Sequence, residues 1–344
     1  MSAPAPATDW KETVAPDEGP RFEALAASLG ALQRTRAARA GASPRRGLHA
    51  KQNLAAHARF EVLPELPAHL AVGPFTPGAA YAALVRFSNG SGAVQEDARP
   101  DVRGVAVKLF GVKGKKLIPG MEDAPTQDFL GILTPAVPFR GPEEFVWVVT
   151  ASASPATFLP KALFHLGPSR ALQLLGALRK GLGRPVPSLA ANQYYSALPV
   201  RWGALAAKYT FVPLDGGGAG GPTPAVLAEE LAGRLRRGPL RWDFKVQLFA
   251  DERRTPIEDP TVDWDTPYLP VARLTLPQQD CASARGQRLL AWSDGLSFDP
   301  WHAVEALRPL GAMMRSRSAA YRVSNQTRQA AGEPAGLPPE LVAD

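Results

Sequence analysis

Asp101-Val102-Arg103-Gly104-Val105-Ala106-Val107-Lys108-Leu109-Phe110 is the stretch from which the fold can be read. In a strand, successive side chains point to opposite faces. Val105, Val107 and Leu109 therefore share one face, and Ala106, Lys108 and Phe110 the other. That division suits a sheet buried unequally on its two sides. Residues 58–63, 82–88 and 128–133 are similar, short and β-rich, and are punctuated by Gly or Pro.

Further out, residues 194–213 alternate like a hairpin turning at Gly203, and residues 241–250 and 270–276 read as more strands. Phe22, Leu25, Leu29 and Leu32 recur at helical spacing before a stop at Gly41. Residues 155–180 read as two helical pieces broken at Gly167-Pro168. Their leucines fit packing on a core, or else a membrane-surface or fatty-substrate face, and core packing is the expectation. Residues 215–221, DGGGAGG, are expected to form a flexible loop, after which Thr223 is expected to cap a helix with Pro224 in its first turn. Residues 301–331, rich in Ala, Leu, Met and Arg and with Pro309 as the one proline, read as a further helix.

Strands fill the middle of the chain, with helices at either end and inserted between. No strand-helix-strand rhythm is sustained, which argues against a doubly wound parallel sheet. There is no G-x-G-x-x-G after a strand, no P-loop and no internal repeat. The residues by themselves give a mostly antiparallel α+β domain over 21–331, a loose Pro-, Ala- and acid-rich arm over 1–20, and a tail over 332–344.

Composition narrows the function classes. Of 344 residues, 45% are hydrophobic and 21% charged, as in a soluble globular protein with a sizeable core. Cys281 is the lone cysteine, which excludes an intramolecular disulfide and cysteine-rich metal sites. No apolar run is long enough to span a bilayer, and the first 20 residues lack an apolar core behind basic residues. A cytoplasmic protein without an integral membrane segment is expected. The net charge of +7 peaks at Arg34, Arg36, Arg39, Arg45 and Arg46, with no aromatic between them, so no nucleic-acid partner is expected. His49, His57, His69, His165 and His302 show no H-x-x-x-H spacing and no acidic cluster, which leaves a non-haem metal site unsupported.

Two further segments carry candidate chemistry. Arg46-Gly47-Leu48-His49-Ala50-Lys51 comes first, followed by His57-Ala58-Arg59-Phe60-Glu61-Val62 and Leu84-Val85-Arg86-Phe87-Ser88-Asn89-Gly90. Near the other end, Arg317, Tyr321 and Arg328 line one helix stripe. Cations fixed beside a phenol favour its ionised form, although the same stripe also fits a surface tyrosine among solvated arginines. In order, R-x-x-H-A-K, F-E-V, V-R-F-S, D-x-R-G-x-A-V-K-L-F and R-x-x-x-Y resemble the haem catalase superfamily, from about residue 44 to about residue 330. Residues 246–277 and 296–311 resemble small bacterial catalase-like proteins (catalase-related peroxidases) more than full-length catalases.

The resemblance implies an antiparallel β-barrel with flanking helices and haem b buried between them. It places Tyr321 as axial ligand of the haem iron, the role a tyrosine has in catalases. Arg317 would donate to the phenolate. Arg46, Arg86 and Arg328 would neutralise the haem propionates with forked pairs, although Arg46 beside Arg45 also fits an ordinary surface arginine. His49 would be the distal acid-base group, a task suited to an imidazole, and Ser88 would orient it. A loop histidine before a strand can equally be structural. Phe145 would stack near the distal face of the haem, or simply pack in the core. Asp101 would stand on the route to the haem, or simply form a turn before its strand.

The sequence departs from the family in two places. The family's distal asparagine, just before a Thr-Pro pair, here falls on Ile132 or Leu133 ahead of Thr134-Pro135. The Asp-Thr pair after the tyrosine reads Val323-Ser324. An apolar distal wall favours a bulkier organic hydroperoxide over hydrogen peroxide. The expectation is therefore a haem peroxidase using a small electron donor. Its rivals are a true catalase, a rearrangement of fatty-acid hydroperoxides like that of allene oxide synthases, and a haem-binding protein without turnover. The chain is short for a catalase, without the length for the arms and C-terminal domain that help those enzymes form tetramers; a monomer and a homo-oligomer both remain open.

Overall fold

Strand β5 (Tyr194–Tyr195) is two residues long, and it closes the fold. It pairs with β4 (Thr126–Ile132) through Ile132 and with β7 (Leu205–Pro213) through Phe211 and Thr210. The circuit continues antiparallel through β8 (Leu240–Leu248), β9 (Tyr268–Leu276), β1 (Gln52–Val62), β2 (Ala80–Asn89) and β3 (Arg103–Phe110) back to β4. An eight-stranded antiparallel barrel results, with β6 (Val200–Trp202) paired onto β7 outside the circuit. The architecture comes from a computed structural model that describes residues 6–215 and 220–342.

Alternation along each strand sorts the side chains. Val105, Val107 and Leu109 join Phe60, Val85, Phe87, Phe129, Tyr209 and Phe244 in the barrel interior. The rings of Phe129 and Phe244 meet edge-on at 5.2 Å, as aromatic pairs prefer. Ala106 and Phe110 face outward with Ala55 and Leu84, under α6 (Ala284–Gly295) and the C-terminal tail, through Leu289, Leu296 and Leu341. Register puts Ser88 opposite Gly104, Arg86 opposite Ala106, and Gly104 opposite Ile132. The outer face of β2–β4 thus presents polar groups over a floor of small residues.

Helices α1 (Glu18–Ala40) and α7 (Ala312–Thr327) pack against each other. A side chain at Gly30 would place its Cβ 2.6 Å from Val323 Cγ1, so glycine sets their approach. Gly41 ends α1 in the left-handed conformation, its amide bonded to Ala37 and Ala38 carbonyls. No helix of the described residues is long and apolar enough to cross a membrane.

Several local expectations need correction. The last helix begins at Ala312, not Trp301, because Pro309 has no amide to offer and the chain before it bonds to β6 and to the loop between β3 and β4. Ala303 O accepts from Leu117 N at 3.0 Å, and Arg308 O accepts from Arg201 N at 2.7 Å. Thr223 caps no helix: its hydroxyl accepts from Val186 N, and α5 (Leu227–Arg237) starts later, with the Asp97 carboxylate holding Leu227 N. The hairpin does turn at Gly203, but Tyr194–Tyr195 leaves it to close the barrel. Helices α2 (Pro142–Ala151), α3 (Pro155–Leu166) and α4 (Pro168–Leu182) follow β4, with the break at Gly167 as expected. Core packing holds for only one side of α3 and α4, as Phe164 is 95% exposed and Leu172 64%.

Of the arm expected over 1–20, residues 1–5 lie outside the described residues. Ala7 N bonds Phe249 O, Trp10 Nε1 bonds Ala204 O, and Glu12 pairs with Arg308 and Arg315. Residues 216–219 of the glycine loop and 343–344 of the tail are likewise outside the described residues.

Candidate active site

His49 sits between α1 and β1 in the left-handed conformation at φ 54°, and its amide donates to Gly90 O at 3.0 Å. Its Nδ1 lies 3.0 Å from Ser88 Oγ, which fixes the ring plane. The ring rests on Gly104, where a Cβ would stand 2.5 Å from His49 Cε1 and 2.8 Å from Nδ1. The D-x-R-G stretch thus needs its glycine for the histidine. Burial first, then the Arg86, Arg317 and Arg46 guanidiniums, push the imidazole down to about 3.

Arg46, Arg86 and Arg328 form a cationic cluster beside it. Arg86, 3% exposed, donates from Nε to Gln52 Oε1 and from Nη2 to His49 O, both at 2.8 Å. Arg46 pairs with Asp294 at 2.7 Å and donates to Leu296 O at 2.6 Å. Arg328 reaches the same Leu296 O at 2.7 Å and Asn325 Oδ1 at 3.0 Å. Leu296 follows the last turn of α6, where free carbonyls and the helix dipole attract cations. Burial and Arg46 push Arg328 down to about 9, and burial holds Arg46 and Arg86 below the usual range. A guanidinium does not give up its proton in a protein, so three positive charges are held here largely out of water. Among the described residues, Asp294 is the one carboxylate beside the three, and Arg328 Nε is buried without a partner. A buried group carrying two carboxylates fits that excess.

On α7, Arg317 Nη2 donates to Tyr321 Oη at 2.8 Å, one helical turn along. Arg317 lies close enough for its charge to act on His49, and Tyr321 lies close to Arg46 and Arg86, so both chain ends share one electrostatic environment. Gln33 of α1 ties them together, donating to Arg45 O at 2.6 Å and Ser324 O at 3.2 Å. Ser324 Oγ accepts from Gly47 N at 3.3 Å. The Val323-Ser324 departure thus has a structural use, since Val323 fits against Gly30 and Ser324 holds the His49 loop.

The structure separates Ile132 from Leu133. Ile132 pairs with Gly104 and shares the outer face with the histidine, whereas Leu133 packs against the interior. Phe145 is not brought into the cluster by any ring contact or hydrogen bond to His49, Tyr321 or the guanidiniums among the described residues. It lies edge-on to Phe139 at 5.1 Å. Asp101 accepts from Ser91 N and Gln95 Nε2, each at 3.1 Å, and so organises the loop before β3. Asp294, Gln52 and Gln33 were missed by sequence reading, since each is a lone polar residue whose partners lie far away in the chain. Among the described residues, no group of three or more His, Cys, Asp or Glu could hold a bare metal ion.

No family model matches the chain. A catalase-related peroxidase of Mycolicibacterium paratuberculosis (strain ATCC BAA-968 / K-10) is 30% identical over 285 residues, covering 78% of this chain and 85% of the relative. Among solved structures, a fungal catalase matches 88% of the chain with a TM-score of 0.65 at 19% identity. A bacterial catalase matches 96% with a TM-score of 0.62 at 18% identity, and catalase A from Saccharomyces cerevisiae 87% with 0.61 at 17%. The chain spans only 63%, 63% and 64% of those three catalases. At such identities the likeness concerns the fold.

Proposed function

The chain belongs to the catalase-related peroxidase family, and from that premise we propose that it is a haem b-dependent oxidoreductase reducing organic hydroperoxides in preference to hydrogen peroxide. Two electrons from a small donor and two protons convert the hydroperoxide to an alcohol and water. The observation carrying the reading is the pairing of His49 with Ser88 on one side and Arg317 with Tyr321 on the other, beside a cationic cluster with one carboxylate.

Tyr321 would hold the iron through its phenolate oxygen, with Arg317 donating to that oxygen. Arg46, Arg86 and Arg328 would take the propionates, matching the charge excess described above. Bound haem would supply the redox-active iron at which the O–O bond is reduced. His49 does the proton work: with Nδ1–H directed at Ser88 Oγ, the Nε2 lone pair accepts the hydroperoxide proton and returns it to the leaving oxygen. Its depressed pKa keeps the imidazole neutral with the Nε2 lone pair free, at the cost of a weaker base. Ile132 offers no hydrogen bond where a distal asparagine would stand. Each lost buried polar contact is worth about 1–3 kcal/mol. A deficit of that size lowers dismutation of hydrogen peroxide by roughly 10- to 100-fold.

The test is an absorption spectrum of the purified protein, followed by turnover with cumene hydroperoxide and with hydrogen peroxide. A tyrosinate-ligated ferric haem, donor oxidation faster with the organic peroxide, and little oxygen evolution are expected. Brisk oxygen evolution would favour a true catalase, the reading to which the solved neighbours lend their fold. Bound haem that does not change with either peroxide would leave a binding protein.

A further inference from the structure

Helices α3 and α4 form a hairpin with two unlike sides. Its inner side is anchored: Phe158 lies 6.0 Å from Trp147, His165 stacks on Trp147 at 4.6 Å, and Ala162, Ala171 and Leu174 are buried. Its outer side leaves Phe164 95%, Leu172 64%, Leu159 48% and Leu163 37% exposed. Scattered exposed leucines need no explanation, but four large apolar side chains on one hairpin form a patch.

The charge around that patch is one-sided. No Asp or Glu occurs from residue 146 to residue 214. Arg170 is occupied by Glu144 at 2.6 Å, but Lys161, Arg179, Lys180 and Arg184 are exposed and have no carboxylate partner among the described residues. Lys161 shares a helix face with Phe164 three residues on, and Arg179 shares one with Leu172 seven residues back. Apolar side chains and cations on common faces are what a helix lying in a bilayer interface presents. A second copy is a poor occupant, because a two-fold contact would bring this positive patch against itself.

We propose that the α3–α4 hairpin docks the protein on an anionic phospholipid surface, with Phe164, Leu159, Leu163 and Leu172 entering the headgroup boundary and Lys161, Arg179, Lys180 and Arg184 meeting lipid phosphates. This does not depend on the peroxidase reading, since neither haem nor turnover enters the contact. If both hold, docking would carry the site to hydroperoxides formed in the lipid itself.

The test is co-sedimentation of the full chain with vesicles of phosphatidylcholine alone, or with about one-third phosphatidylglycerol. The anionic vesicles should bind at least about tenfold more tightly, and salt at about 0.5 M should remove most of the difference. Phe164→Glu and the double variant Lys161→Glu/Lys180→Glu should each weaken binding by roughly tenfold or more, with circular dichroism unchanged because these side chains are exposed. Equal binding to both vesicle types, or full binding by Phe164→Glu, would overturn the proposal. So would a dimer in sedimentation velocity that Phe164→Glu dissociates in the absence of vesicle binding, which would assign the face to a second copy.

Discussion

The His49 imidazole lies directly on the α-carbon of Gly104, with no room for a methyl group between them. One β3 residue thereby sets the height of the candidate acid-base group above the outer face of the barrel. A Gly104→Ala variant must tilt the ring and loosen its 3.0 Å contact with Ser88 Oγ. Positioned acid-base catalysis contributes about 100- to 10,000-fold, and a misplaced imidazole loses much of it. The variant should retain haem, as judged by absorbance per protein, while its reaction with peroxide slows by roughly 100-fold in stopped-flow mixing. An unchanged rate would remove His49 from the chemistry.

The same histidine predicts a pH profile. Its pKa lies near 3 in the fold against an ordinary 6.5, and burial is the largest cause. Pairing the arginines with carboxylates relieves only the smaller, charge-charge part. The imidazole therefore stays neutral down to strongly acidic pH, and the rate with peroxide should show no inflection near 6.5. Stability follows the same window: between about 3 and 6.5 the unfolded chain binds a proton that the folded chain refuses, so stability falls as pH drops and is insensitive to this group above. Urea unfolding across that range, alongside the kinetics, checks both.

Arg317 and Tyr321 give a second substitution. The guanidinium both donates to the phenol oxygen and stands over its ring, at 5.2 Å from the ring centre. Arg317→Lys keeps the charge but replaces a rigid fork with a flexible point donor. Haem binding should weaken by about 10- to 150-fold, as lost charge-assisted bonds of roughly 1.5–3 kcal/mol imply, and the spectrum of the remaining ferric haem should shift.

Much of this was legible because it is local. Strand alternation in 104–110, the glycine stop at Gly41 and the break at Gly167-Pro168 each depend on neighbours within one turn or one strand. The start of the last helix was not legible, since Trp301–Leu310 takes its shape from bonds to Arg201, Leu117 and Pro199. Asp294 and Gln33 were invisible for a like reason: Asp294 meets Arg46 across 248 residues, and Gln33 meets Ser324 across 291. The site residues could be picked out as chemical types, but the carboxylate and amides that hold them in place could not.

Below the site, Lys108 is fully buried between Asp128 at 2.7 Å and Glu333 at 2.8 Å, and Glu333 also accepts from Thr126 Oγ1. Glu333 comes from the C-terminal tail, so the tail is tied to the barrel by this pair. Lys108→Ala leaves two buried carboxylates facing each other and should cost about 3–5 kcal/mol in urea unfolding. Glu333→Gln leaves the lysine with Asp128 and should cost clearly less. Equal losses would mean that the tail contact, not charge, dominates.

Ile132 offers the sharpest test of substrate preference, because one substitution should move two activities in opposite directions. Its backbone pairs with Gly104, the residue under the histidine ring, and its side chain is on that same outer face. Ile132→Asn shortens the side chain and places a hydrogen-bond donor on the face that the histidine occupies, where bound hydrogen peroxide would use one. Oxygen evolution from hydrogen peroxide should rise by about tenfold or more, the equivalent of one recovered buried hydrogen bond. Donor oxidation with cumene hydroperoxide should fall, because the new amide must be desolvated against an apolar substrate group. If both activities rise or fall together, the residue affects folding or haem content and not selection. If neither moves, the wall that selects the peroxide lies elsewhere.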